Sequence, residues 1–145
     1  MAARYVAQRG STTVEFAIVA SVIFFLIFGI VDFGFAVYMT HLVTDVSRMG
    51  ARYAMVRGST CKSSGCPATS TSIQSYVRSM SPIADPTAMM VTTTWSPGYG
   101  CVTSPYQAPG CTVSVQVQYP YHFAGAFLNG LVMPIASASQ NTISQ

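Results

Sequence analysis

A chain of 145 residues has room for about one domain and an anchor. Charged residues make up 8% of it, against roughly 25% in an ordinary soluble domain, hydrophobic residues make up 50%, and mean hydropathy is +0.41. These values require a membrane segment or a surface covered by partners, and the net charge of +3, scattered over seven basic residues with no tight run, argues against a nucleic-acid partner.

The first ten residues contain Arg4 and Arg9 and no acid. They end in Gly10-Ser11-Thr-Thr-Val-Glu15-Phe16, where a lone glutamate stands at the mouth of an apolar run. A carboxylate there is costly unless it is paired or reaches the interface; the plain reading is an interfacial or first-turn glutamate, which the helix dipole favours. From Phe16 to Val31 no residue is charged, and after Asp32 the apolar stretch resumes to Met39. A spanning helix needs about 20 mainly apolar residues, and this segment supplies them. The alternative, a helix enclosed in a soluble core, needs more surrounding chain than exists here. A cleaved secretory signal has an apolar core of roughly 7–15 residues and a small-x-small site; this run is longer and offers no convincing site. Because positive flanks stay cytoplasmic, the expected topology puts the N-terminus inside and the rest of the chain outside.

Beyond Asp32, residues Phe35, Met39, Leu42, Val46, Met49, Tyr53 and Val56 recur at alternating gaps of four and three, a heptad stripe. Asp45, Arg48 and Arg52 fall off it, with Asp45 and Arg48 as helical neighbours. Gly58 ends the pattern, so one continuous helix over Ser11 to Arg57, roughly 70 Å long, is expected. The stripe is either a face that holds the chain's own head domain, the simpler reading for most of it, or a spine for subunit packing. Gly29, Gly34 and Gly50 permit close helix contact, although their spacing is not a clean GxxxG.

The four cysteines, Cys61, Cys66, Cys101 and Cys111, lie in Ser/Thr/Pro-rich surroundings. An even number in a small region points to disulfides and an oxidising compartment. Of the three possible pairings, the sequence-local one, Cys61 with Cys66 and Cys101 with Cys111, is the expectation. A zinc site is the rival, but the spacings lack the C-x2-C knuckle such sites usually show. Ile73, Tyr76, Val77 and Met80 predict a short helix closed by Pro82. Met89 to Trp95 reads as a strand, Ser96 to Gly110 as a loop, and the strict alternation of Val113, Val115, Val117 and Tyr119 with polar residues as the clearest strand. Phe123 to Met133 is apolar but too short to span a bilayer; it touches the membrane surface, touches a partner subunit, or caps the head. Ile135 to Ile143 is a weaker terminal strand.

No catalytic constellation stands out. His41 and His122 have no nucleophile or carboxylate partner evident in sequence, and no G-x-S-x-G, phosphate loop or C-x-x-C occurs. A non-enzyme without cofactor or metal is the expectation.

Gly10, four residues, then Glu15-Phe16 at the head of an apolar helix resembles the class III signal of type IV pilins and pseudopilins. That resemblance implies cleavage by a prepilin peptidase after Gly10, leaving Ser11 as the new N-terminus. It also implies a registry role for the Glu15-Phe16 pair, Glu15 meeting the free amine of a neighbouring subunit; a buried carboxylate and ammonium then need each other. Val31-Asp32-Phe33-Gly34, Arg48-Met-Gly-Ala-Arg52-Tyr53-Ala54, the Val113-to-Tyr121 strand and the Pro134-to-Ser139 end are similar to the TadE-like proteins of tight-adherence (Flp) pilus systems. The segment from Gly58 to Pro109 carries no resemblance.

Taken together, these features lead to an α+β, pilin-like chain. It divides into a leader over 1–10, a transmembrane and amphipathic helix over 11–57, and an extracytoplasmic head of small antiparallel sheet and one short helix over 58–145. The implied role is that of a structural minor pilin or pseudopilin in the bacterial inner membrane, with the prepilin peptidase, other pilin-like subunits and the pilus assembly platform as partners. Major Flp pilins are much shorter, with almost no head. The competing reading is an uncleaved single-pass membrane protein whose outer domain binds a ligand or envelope partner.

Overall fold

The computed structural model describes residues 9–83, 85–123 and 130–144, with side chains from Thr12 onward. Residues 1–8 of the expected leader and residues 124–129 of the apolar Phe123-to-Met133 segment lie outside the described residues.

The first described element is one helix, α1 (Arg9–Met55), of 47 residues, about 70 Å at ~1.5 Å per residue. No proline precedes Pro67, so nothing removes a backbone donor along its length. It starts slightly before and stops slightly before the expected bounds: Arg57 N–H donates to the Ala54 carbonyl at 3.1 Å, tightening the chain out of the α-helix. The chain then returns, with Ala68 N–H donating to the Arg57 carbonyl at 2.8 Å. Thr69 and Ser72 form a reciprocal capping box that opens α2 (Ser70–Met80), and the buried Ile73 and Val77 fasten that helix to the core. A single 3-10 turn, Pro86–Ala88, follows. Arg78 donates to the carbonyls of Thr87 and Met89 at 3.3 and 3.0 Å, tying α2 to the start of the sheet.

Three antiparallel strands, β1 (Met90–Ser96), β2 (Thr112–His122) and β3 (Val132–Thr142), form one sheet in the order β1-β2-β3. Val113, Val115 and Val117 of β2 are fully buried and face α1, while Gln116 and Gln118, which alternate with them, are exposed. β2 reaches His122, one residue past the expected Val113-to-Tyr121 strand, and includes Pro120, which a central strand should reject. The register explains the exception. β1 ends opposite Gln118, so beyond that point β2 has β3 alone as a neighbour, and Pro120 stands opposite Pro134. In an antiparallel ladder, partners whose N–H groups both point away from each other need no donors, and two facing prolines satisfy that position.

The fold is therefore α+β: a long apolar helix, a short second helix and a small antiparallel sheet. The heptad stripe is split between the expected contact with the head and an exposed remainder. Leu42 and Val46 are buried, and Met39 and Tyr53 half-buried, yet Phe35, Met49 and Val56 remain 55%, 45% and 40% exposed. The face that carries the sheet is Asp32, Ala36, Val43, Ser47, Gly50 and Ala54. It is rotated from the stripe by about one residue step, ~100°. Backbone proximity is the reason. A Cβ on Gly50 would stand 2.7 Å from Val77 Cγ2 and 3.1 Å from Val115 Cγ1. Ser47 Oγ reaches Ser137 Oγ at 3.4 Å. Around Ser47, Gly50 and Ala54 the sheet and α2 approach so closely that only small residues fit between, and Met49 and Val56 of the stripe are displaced to the flank.

Candidate packing and processing site on the long helix

The Gly10–Ser11 junction lies inside the first turn of α1, so the helix continues unbroken from the expected cleavage point into the apolar segment. Glu15 projects into the open, and Phe16 after it is 73% exposed. From Thr12 to Val31 every side chain is exposed except the half-buried Ala20. The most apolar 18-residue window of this helix has a hydropathy of 2.7, and none of it is buried within the chain. A soluble protein's core helix would be enclosed, whereas this one is bare on all sides and is suited to lipid or to other helices.

Glu15 and Asp32 bracket the uncharged run. They lie about 25 Å apart along the axis at ~1.5 Å per residue, close to the ~30 Å of a bilayer's hydrocarbon core. At Asp32 the head begins. Asp32 is buried, and its main-chain carbonyl accepts a hydrogen bond from the Tyr121 hydroxyl at 3.3 Å. Burial and the neighbouring Asp32 charge push the Tyr121 phenol above its ordinary value of 10.0. The end of β2 is thereby fixed at the level where the apolar run stops. Sequence reasoning did not find this contact, because residues so far apart in the chain give no periodic signal of their meeting.

Farther along α1, the displaced stripe borders a groove against α2. Tyr53 stacks on Tyr76 with ring centroids 4.3 Å apart, and the Arg57 guanidinium sits 3.9 Å above the Tyr53 ring. Met49, Val56 and Met80 line the same groove. Its rim is basic, with Arg52 and Arg57 both lining it.

The cysteines form two disulfides, Cys61–Cys66 and Cys101–Cys111, with Cα–Cα distances of 5.8 and 5.1 Å. The first, itself half-buried, closes the exposed loop after α1. The second is buried and staples the β1–β2 connection. There Gly110 adopts φ +90° and packs directly against the Tyr99 carbonyl, where no Cβ fits. His41 lies exposed on α1, and His122 is exposed at the end of β2 opposite Val132.

Among known families, the model of the TadE-like protein matches residues 10–52. The match starts at Gly10 and stops near the C-terminal end of α1, so it does not extend to the sheet, where a similarity to TadE-like proteins was also expected. No curated protein and no solved structure matches the chain. Residues 10–52, which carry Gly10, Glu15, the uncharged run and the Arg48–Arg52 turn, are thus similar to the TadE-like family.

Proposed function

We propose that this protein is a non-catalytic structural component of a tight-adherence pilus system, a minor pilin or pseudopilin anchored in the bacterial inner membrane by α1, with the sheet domain on the outer side. A prepilin peptidase cuts between Gly10 and Ser11. Glu15 then pairs with the new amine of a neighbouring subunit, and the Glu15-Phe16 turn sets axial register. The assembly platform and other pilin-like subunits are its partners.

The observation that carries this reading is the family match beginning at Gly10 itself, in register with the acid at Glu15 and followed by a helix bare from Thr12 to Val31. A carboxylate at the head of such a helix is tolerable at a water interface but needs a cation once neighbouring helices cover it. The test is the mass of the mature N-terminus in the native host. A start at Ser11 is expected; a retained Met1 or Ala2 would instead favour the uncleaved membrane protein with an outer binding domain. Independently, Glu15→Ala should leave membrane insertion intact while pilus assembly fails, and normal piliation in that variant would remove the registry role.

A further inference from the structure

The row of β3 that faces α1 changes character along its length. Ile143, just past β3, is 3% exposed and Ile135 5%, but Met133 is 38% and Leu131, just before the strand, 55% exposed; Val132, which alternates to the opposite face, is 44% exposed. The row loses its cover as it passes the level of Asp32. Met133 is the sheet partner of Tyr121, whose hydroxyl reaches the Asp32 carbonyl, and Val132 pairs with His122 one step beyond. Phe123 packs edge-on against Tyr121 with centroids 5.1 Å apart. Three consecutive exposed apolar residues thus stand beside α1 where it too is bare: Val31 is 48%, Phe33 70% and Phe35 55% exposed.

Charge is missing from this end of the sheet. No Asp, Glu, Lys or Arg occurs after Asp85, so β1, β2 and β3 carry none; Tyr119, Tyr121 and His122 are the titratable groups near the end of β2, and the buried Asp32 of α1 is the acid beside them. A surface facing water at a membrane boundary would normally carry charges, whereas an interfacial surface favours aromatic and aliphatic groups with a few polar tips. Tyr121, His122 and Phe123 match the second description.

We propose that the membrane-proximal end of the β2–β3 pair, presenting Leu131, Val132 and Met133, is a foot that rests in the lipid interface beside α1. The head would then be held at two points, the helix and the foot, which restricts its rotation on the anchor. The occupant is the headgroup–acyl boundary of the bilayer, because the patch is continuous with the lipid-facing side of α1 and sits at the depth where the uncharged run ends. The inference rests on α1 spanning the membrane, which the experiment examines separately.

The test places the full chain in phosphatidylcholine nanodiscs with acyl chains brominated near either the carbonyl or the methyl end, and reads tryptophan emission. The native single tryptophan, Trp95, is a built-in reference. It pairs with Val113 at the far end of β2 from His122, ~30 Å away at ~3.3 Å per residue, and should not be quenched. Leu131→Trp should add a blue-shifted emission that is quenched, more strongly by bromine near the carbonyl end. Met133→Trp checks the same surface if the first variant folds poorly. Phe24→Trp, midway between Glu15 and Asp32, should be quenched most by bromine near the methyl end. Quenching at Phe24→Trp without quenching at Leu131→Trp or Met133→Trp would overturn the foot alone, and a blue shift without quenching would assign the patch to protein. No quenching at Phe24→Trp would remove the anchor, and the foot with it.

Discussion

Tyr121 is the residue on which the seating of the head turns. Its hydroxyl is buried and donates to a main-chain carbonyl of α1, while its ring contacts Phe123. Tyr121→Phe keeps the ring and deletes the donor, so it should cost about 1 kcal/mol of stability, the usual net worth of one hydrogen bond. The same variant should alter the alkaline limb of the stability curve. Burial and Asp32 raise the phenol above 10.0, so the folded state holds this proton more tightly than the unfolded chain. The resulting stabilisation is complete below pH 10.0 and is lost as pH rises through the folded value. Wild type should therefore lose stability more steeply than Tyr121→Phe above that pH, as measured by urea melts of the detergent-solubilised protein. Equal slopes would show that the phenol is not protected.

At the scale of elements, what could be read in advance depended on whether the signal was periodic. The bare helix, the capped α2 and the alternating β2 all announce themselves through spacing. β3 does so only weakly: Ala-Ser-Ala-Ser-Gln-Asn-Thr has little strand preference, so Ile135 to Ile143 reads as a weaker strand, and the observed strand starts earlier, at Val132, because β2 supplies a complete antiparallel partner. The stripe on α1 was informative only in part, for a related reason. Periodicity identifies the largest apolar face, but a sheet packed nearly backbone to backbone selects the smallest one. Gly50 was the available clue, since a helix-interior glycine costs about 1 kcal/mol relative to alanine and is retained where space demands it. Gly50→Val should destabilise the head by about 1–3 kcal/mol through overpacking against Val77 and Val115. Gly34→Ala should leave the stability of the head unchanged or slightly higher, because nothing lies within 4 Å of its added Cβ. Thermal melts of the two variants, followed in the near ultraviolet, separate these outcomes; equal midpoints would contradict the close-packing account.

In the whole molecule, the helix is divided lengthwise between two roles. One face is spent on the chain's own head and is lined with small residues. The adjacent face retains Phe35, Met49 and Val56, bulky and substantially exposed, together with the Tyr53–Tyr76 stack and a basic rim. A soluble monomer gains nothing from this second face, but a subunit packed among others has a use for it. The two candidate roles of the heptad stripe, holding the head and packing subunits, therefore fall on neighbouring faces of one helix. Substitutions on the two faces should separate folding from assembly. Met49→Lys changes a side chain that is 45% exposed, so the head should lose no more than about 0.5 kcal/mol, as for ordinary surface changes. In the proposed filament the same lysine would be buried against a neighbour without a partner charge, at a cost of several kcal/mol. Met49→Lys should accumulate in the membrane with a normal melting profile and fail to enter pili, whereas Gly50→Val, one residue away, should show the melting defect itself. If Met49→Lys assembles normally, the exposed stripe is not a subunit interface.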